Sequence, residues 1–230
     1  MSQNQHSRAA RRRRAAGPVG AAFLVLAAVG LIAVVMLCVH VVRGWMDQSD
    51  KMARYEQFVL PVVMMDPVPF TNVKNIDEAL LLQSSLWAAL LGDSRDSYTY
   101  DENGLLLVPA TDVDVAAAKL FGPEVALIHH TFDDYDASYL FDPEISSYRV
   151  PLIAKVAYSP RGESITKNGE ITTLLVGYIA PGNIWSTDMQ SNKKNEPAPD
   201  KYMYYDLKKG EAGLSISAVR DIDENAPPKS

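Results

Sequence analysis

The sequence predicts an α+β fold, in which one membrane-spanning helix precedes a domain of helices packed on an antiparallel sheet. Three features of the 230 residues predict it: a long uncharged run near the N-terminus, helical periodicity in the next part, and β-type patterns in the last part. Helices that precede the strands, instead of alternating with them, are typical of α+β domains. With 47% hydrophobic residues, the chain has enough apolar side chains for a packed core.

The uncharged run has an apolar core of 24 residues, from Val19 to Val42, and Arg43 closes it. As a helix it would be about 36 Å long, which exceeds the ~30 Å hydrocarbon core of a bilayer. We therefore expect an uncleaved transmembrane helix over 19–43 that contacts the lipid bilayer, with Trp45 at the headgroup level. A cleaved signal peptide is the alternative, but its apolar region is only about 7–15 residues long.

Basic residues on the two sides of this run predict the orientation of the chain. Residues 1–18 contain five of them, and residues 43–60 contain three. Because cytoplasmic flanks are enriched in Lys and Arg, we expect a cytoplasmic N-terminus and an extracytoplasmic C-terminal domain at a plasma membrane. The cluster that sets this topology consists of four consecutive arginines: Arg11, Arg12, Arg13 and Arg14.

Residues 44–230 contain all 28 acidic residues and 16 basic ones, which gives a net charge of −12. This acidity argues against nucleic acid as a partner. Cys38 is the only cysteine and lies in the apolar run, so the outer domain has no disulfide, which suits a bacterial envelope. The predicted parts are a basic cytoplasmic tail, the transmembrane helix, a juxtamembrane helix, an extracytoplasmic α+β domain and a disordered tail, at 1–18, 19–43, 44–57, 58–222 and 223–230.

The first part of the outer domain has helical patterns. Three prolines predict that the apolar segment 58–70 is extended, because proline interrupts a helix. Asn75 and Glu78 form a capping box, and apolar residues with helical spacing follow as far as Gly92. A second capping box, at 111–114, opens a shorter helix that ends at Phe121.

The later part has β-type patterns. A hairpin with strands at 98–100 and 105–108 is predicted first, because Asp-Glu-Asn-Gly between them is a strong turn sequence. Beyond it we expect strands at 125–132, 139–141, 148–159 and 171–180, and a last hairpin with strands at 202–207 and 214–219. Residues 181–200 are rich in Pro, Gly and Asn and predict a loop.

This order of elements, helices first and a curved antiparallel sheet afterwards, resembles the cone-shaped NTF2-like fold, with the cystatin-like fold as second choice. The resemblance covers about residues 55–222 and is one of element order, not of a sequence motif. NTF2-like domains behind one anchor helix occur in envelope and secretion-channel assemblies, so the resemblance implies a role in such an assembly.

The densest polar cluster lies at 129–136. Imidazoles and carboxylates are ligands for divalent metals, but adjacent residues of a strand point to opposite faces, so two neighbouring histidines chelate one ion poorly. An EF-hand is excluded because Tyr139 and Ile145 stand where its loop needs Gly and Glu, whereas a looser calcium site stays open. We predict no metal or cofactor and keep five weak ligand candidates: His129, His130, Asp133, Asp134 and Asp136.

The sequence has no motif for nucleophilic catalysis or for phosphate binding, so we expect a protein that is not an enzyme and has no catalytic residues. Aromatic side chains are the other candidates for function, because they are enriched in binding faces. The alternative is that they form the core and the cross-strand pairs of the sheet. The candidates for interaction are Tyr135, Tyr139, Phe141, Tyr148 and Tyr205.

These features favour a single-pass membrane protein that displays a noncatalytic domain for binding an envelope protein or a wall component. A small-molecule-binding or sensing domain that uses the pocket of the cone is the second interpretation, and a metal-dependent enzyme is the third. An exposed apolar patch beside a filled core would favour the first, and a deep apolar pocket with converging polar groups would favour the second.

The predicted orientation can be tested with a protease added to intact cells. We expect a tag at the C-terminus to be digested and a tag at the N-terminus to survive, because only the acidic domain is expected outside the membrane. Immunoblots of both tags measure this, with a cytoplasmic protein as the control for intact cells. A C-terminal tag that is cut only after permeabilisation would reverse the orientation.

Overall fold

The computed structural model describes residues 49–134, 137–152, 157–183, 197–210 and 213–222, the pairs 186–187 and 194–195, and positions 30, 34 and 36. The chain divides into two compact units, Met1–Lys51 and Met52–Ser230. In the first unit, the described positions are helical.

The predicted transmembrane segment lies outside the described residues except at positions 30, 34 and 36, and Val19, Val42, Trp45 and the arginines at 11–14 are all outside them. No helix in the described part of the chain is long and apolar enough to cross a membrane. The predicted tail at 223–230 is also outside the described residues. The expectations for these segments stay predictions.

The second unit has three α-helices in its described part. Helix α1 covers 52–63, α2 covers Glu78–Leu91 and α3 covers Ala110–Phe121, with 3-10 helices at Val73–Asn75 and Asp93–Ser97. The described strands are β1 (Thr99–Tyr100), β2 (Leu106–Pro109), β3 (Phe132–Asp134), β4 (Ala137–Asp142), β5 (Ser147–Val150), β6 (Ser159–Asn168), β7 (Ile171–Ile179), β8 (Ser186–Thr187), β9 (Lys194–Asn195), β10 (Lys201–Gly210) and β11 (Gly213–Asp221).

These strands form two main antiparallel sheets. The first sheet has the order β1-β2-β5-β4-β3, and the second has the order β11-β10-β7-β6, while β8 and β9 form a separate pair. The α+β class is therefore confirmed. The single curved sheet expected from the element order is replaced by two sheets with helices between them.

Helix α2 explains why two sheets are needed, because it is apolar on opposite faces. Leu80 belongs to a core cluster with α1, α3 and the second sheet. Leu82 and Leu86 belong to another cluster, with α3 and the first sheet. A helix that is hydrophobic around its circumference has to be covered on all sides. Helices α2 and α3 therefore form the middle layer between the two sheets.

Helix α1 continues through Pro61, so the prediction of an extended segment over 58–70 is wrong for its first half. The reason is burial: Val59, Val62 and Val63 are fully buried in the core beside the second sheet. Burying such side chains contributes about 1.5–3 kcal/mol each, which together outweighs the ~3 kcal/mol cost of a proline inside a helix. Tertiary packing overrides the local signal here.

Both predicted N-terminal capping boxes are also wrong. Helix α2 is capped by Asp77, whose carboxylate accepts a hydrogen bond from the backbone N–H of Leu80 at 3.3 Å. Asn75 instead ends the preceding 3-10 helix. Helix α3 begins at Ala110, directly after Pro109, and no side chain caps it.

Two of the predicted strands differ from the observed ones. The strand predicted over 148–159 is divided into β5 and the beginning of β6, and residues 153–156 between them are outside the described part. Of the strand predicted over 125–132, only Phe132 is in a strand, β3. The hairpin β1–β2, strand β7 and the hairpin β10–β11 confirm their predictions.

Strand β6 was missed because Pro160 and Gly162 disfavour strands. It lies at the edge of the second sheet, where proline is tolerated. A bulge lies between Gly162 and Ser164, and the Gly162 N–H donates a 2.7 Å hydrogen bond to the Oε1 atom of Glu56 in α1. Helix α1 therefore covers part of this edge.

Two tyrosine hydroxyls meet in the core of the second sheet. The hydroxyl oxygens of Tyr178 and Tyr205 are 2.5 Å apart, and both side chains are fully buried. Burial raises the pKa of both hydroxyls well above the ordinary value, so both stay protonated and one donates to the other. The Lys201 ammonium lies 4.9 Å from the centre of the Tyr178 ring and forms an ion pair with Asp66.

The tyrosine pair predicts a non-additive mutational effect. Tyr205→Phe should lower the free energy of unfolding by roughly 1–3 kcal/mol, because it leaves the Tyr178 hydroxyl buried without this partner. The double variant with Tyr178→Phe removes both hydroxyls and should lose less than the sum of the two single changes. Urea unfolding followed by fluorescence measures this, with Tyr202→Phe on the exposed face as the control. Additive losses would contradict a coupled pair.

Candidate functional site

The structure separates the two histidines of the polar cluster. The side chain of His129 points into the domain, whereas His130 is exposed and its Nδ1 atom is 3.0 Å from the carbonyl oxygen of Ile128. The two imidazoles therefore lie in different environments, but strand alternation is not the cause, because both residues precede β3 instead of lying in it.

Asp133, the acidic candidate nearest to the histidines in the sequence, is hydrogen-bonded to another residue. Asp133 is exposed and accepts a 2.6 Å hydrogen bond from the hydroxyl of Ser138. Asp134 is half-buried in β3, and both Asp136 and Tyr135 lie outside the described residues. Among the residues that the structure describes, no three His, Cys, Asp or Glu side chains are grouped so as to hold a metal ion.

His129 is held between helix α3 and the first sheet. Its Nε2 atom is 3.2 Å from the carboxylate of Asp114, and its Nδ1 atom is 2.9 Å from the hydroxyl of Tyr148. Its ring stacks on Phe141, with 5.3 Å between the ring centres. Burial raises the pKa of Tyr148 to about 12, so its hydroxyl is protonated and can donate to Nδ1. In this arrangement Nε2–H donates to Asp114.

These contacts use both ring nitrogens of His129, which leaves neither lone pair for a metal. An Asp–His–Tyr chain can orient an imidazole for proton transfer. In the described part of the chain, however, no Ser or Cys side chain is hydrogen-bonded to His129 as a nucleophile. The contacts fix the loop before β3 onto α3 and the first sheet.

Three of the aromatic interaction candidates lie in the core. Tyr139, Tyr148 and Tyr205 are buried, and Phe141 is half-buried against His129. Tyr139 and Tyr148 belong to the cluster beside the first sheet, and Tyr205 belongs to the cluster beside the second. Their burial favours the alternative considered for them, that they pack the core, because a buried ring cannot contact a partner.

The structure has an open groove of about 650 Å³, which we call the main groove. Three segments that are distant in sequence form it: residues 72–81 around the start of α2, the end of α3 with the loop 122–128 that follows it, and the hairpin β10–β11. Its apolar lining includes Val73, Ile76, Leu81, Phe121, Val125 and Ile216.

The main groove is also lined by charged side chains without ion-pair partners. Lys74, Glu78, Glu124 and Lys208 all line it. In the described part of the chain, none of the four takes part in an ion pair. Two cations and two anions are therefore available to a bound molecule.

The loop along the main groove begins where α3 ends. Gly122 has a φ angle of 100°, which is strained for any residue with a Cβ atom, and it lets the chain turn back along the helix. Residues 125–131 then run without regular secondary structure. The side chain of Ile128 in this loop is 64% exposed, so a large apolar group lies at the groove's edge.

This groove is not among the sites predicted from the sequence. Residues 125–132 have the apolar content of a strand, and nothing local indicates that they stay unpaired. Lys74 and Lys208 are ordinary surface residues in the sequence and come together only through the fold. The end of α3 at Gly122 was the one available signal, because it places the following apolar residues outside the helix.

The chain matches no protein-family model, no curated protein and no solved structure.

The His129 contacts predict different effects for the two histidines. His129→Ala should lower the free energy of unfolding by roughly 0.5–1.5 kcal/mol, because it removes one of two hydrogen-bond partners of the buried Tyr148 hydroxyl, while the backbone N–H of His130 keeps the other bond. His130→Ala, the matched control, should change it by less than about 0.5 kcal/mol, since His130 is exposed.

Zinc or calcium should leave the melting temperature of the unchanged protein nearly the same. A rise of several degrees with either ion would contradict the assignment of both His129 ring nitrogens to hydrogen bonds.

Proposed function

We propose that this protein is a single-pass membrane protein that displays a noncatalytic binding domain outside the cytoplasm and uses the main groove to bind another envelope protein. The apolar run at 19–42 and the arginines before it support the membrane anchor and the orientation. The groove supports the binding role.

The observation that carries the binding role is an exposed apolar side chain beside an open apolar groove. Ile128 is a large aliphatic residue that is mostly exposed, and the half-buried Val73, Ile76, Leu81 and Val125 line the adjacent surface. Contiguous apolar surface with a polar rim is typical of protein-binding sites. The core between the helices and the second sheet is filled by buried side chains, so a partner binds at its edge.

The NTF2-like architecture is part of this proposal. Helices α1 to α3 precede the four strands of the second sheet and pack on one face of it, which supports this comparison. The main groove, at the end of that core, would then be the mouth of the cone. The first sheet, on the other side of α2, would be an extra element that the NTF2-like architecture does not have. The cystatin-like alternative would also leave the first sheet as an extra element.

A small-molecule ligand in the same groove is the second candidate. The volume of about 650 Å³ falls in the range of 300–1,000 Å³ that is typical of ligand pockets. The free charges of Lys74, Glu78, Glu124 and Lys208 are the polar groups that such a ligand would contact. A metal-dependent enzyme, the third interpretation, has less support because both nitrogens of His129 are already hydrogen-bonded.

Site-specific photocrosslinking in native membranes tests the protein partner. A photoreactive amino acid at position 128 should give one discrete crosslinked protein, and the same amino acid at position 68 should not. Val68 is the matched control because it is a 79% exposed aliphatic residue that does not line the groove. Ile128→Asp should abolish a crosslink formed from position 126, which also lines the groove, whereas Val68→Asp should not.

The two candidates give different results in this experiment. No crosslinked protein from position 128, together with a small molecule found in the purified protein by native mass spectrometry, would favour the ligand. Equal crosslinking from positions 68 and 128 would contradict the main groove as the binding site.

A further inference from the structure

A second groove lies where the end of α2 meets the first sheet. Its volume is about 530 Å³, and its lining residues come from α2, the following 3-10 helix, β2, and the chain at and after the end of β5. It shares no lining residue with the main groove. We call it the second groove.

The second groove leaves apolar side chains in contact with water. Leu91 is 50% exposed and Leu152 is 60% exposed, and Trp87 and Pro151 also line the groove. A ligand that covers this surface gains roughly 25 cal/mol of binding free energy for each Å² of apolar area removed from water. The lining therefore favours a molecule with an apolar body.

Arg95 is the only charged residue among the described residues that line the second groove. It lies in the 3-10 helix Asp93–Ser97, where its N–H donates to the carbonyl oxygen of Gly92 and its own carbonyl oxygen accepts from Tyr98, both at 3.2 Å. Two backbone hydrogen bonds thus fix the backbone from which its side chain extends. Asp93 and Asp96 are near it in sequence, but neither lines the groove.

The guanidinium of Arg95 forms no ion pair in the described part of the chain. The domain around it has a net charge of −12, and Arg95 places a positive charge in the same lining as the exposed side chains of Leu91 and Leu152. A planar guanidinium offers two parallel N–H donors to a carboxylate. The groove is therefore complementary to a molecule that has an alkyl chain and one carboxylate.

We propose that the second groove binds a free fatty acid. The alkyl chain lies along Leu91, Trp87 and Leu152, and the carboxylate accepts hydrogen bonds from Arg95. One guanidinium matches one carboxylate, and one groove of this size matches one chain, which favours a fatty acid over a lipid with two chains. This site is separate from the main groove and does not depend on the function proposed there.

Photolabelling of the full-length protein in nanodiscs tests the proposal. The probe is dodecanoic acid with a diazirine near the end of its chain, and mass spectrometry of the digested protein locates the label. We expect labelling at residues 87–91 and 150–152, with competition by unlabelled dodecanoate. Dodecanol and dodecyltrimethylammonium should compete much less, because neither carries the carboxylate.

Variants of the groove separate the contributions of charge and apolar surface. Arg95→Gln should weaken labelling roughly tenfold, as expected for the loss of a charge-assisted hydrogen bond, while Arg95→Lys should retain part of it. Leu152→Glu places a negative charge at a mostly exposed position and should abolish labelling without unfolding the domain. Lys119→Gln, an exposed cation outside the groove, is the matched control.

Three results would overturn the proposal: labelling of Arg95→Gln equal to that of the unchanged protein, competition by dodecanol as strong as by dodecanoate, or label confined to residues 19–43. Circular dichroism of each variant shows whether it is folded. If Arg95→Gln is unfolded, the comparison of Leu152→Glu with the Lys119→Gln control decides the outcome. The Ile128→Asp variant should be labelled as strongly as the unchanged protein, since Ile128 lines the main groove and does not line the second groove.

Discussion

Helix α2 has to be covered on opposite faces, and the arrangement of the domain follows from this requirement. Its apolar side chains point both to the second sheet, through Leu80, and to the first sheet, through Leu82 and Leu86. Ser84 and Ser85 of this helix are buried as well. Their hydroxyls are satisfied within the helix, because each donates a 2.6 Å hydrogen bond to a carbonyl oxygen one turn earlier. One sheet can cover only one face of a helix, so the strands divide into two groups. The two grooves lie at opposite ends of α2, where this cover stops.

Sequence patterns predicted those elements whose signal is local. The end of α2 at Gly92, the end of α3 at Phe121 and the hairpin turn at 101–104 all follow from turn chemistry and helix-stop residues. The elements that failed depend on distant residues. Pro61 is helical because the valines around it are buried, and β6 is a strand because β7 lies beside it. Neither cause can be seen in a local window.

The candidate sites divide in the same way. The sequence marked His129 as a polar residue with possible ligands nearby, but its actual partners, Asp114 and Tyr148, are 15 and 19 positions away in the chain. Most of the aromatic candidates lie in the core. The sequence could not show this, because alternation along a strand tells which residues share a face, but not which face is buried. The main groove could not be predicted as a site, since three segments that are distant in sequence form it and only the end of α3 had a local signal.

The contact between Glu56 and Gly162 joins residues 106 positions apart. An open strand edge is a template on which other chains can assemble into aggregates, and here the first helix of the domain covers the edge at Gly162. Because a ribosome makes the chain from the N-terminus, that helix is already complete when β6 emerges. The Glu56 carboxylate is therefore available to Gly162 as soon as β6 forms, so this part of the edge does not wait for a later segment of the chain to cover it.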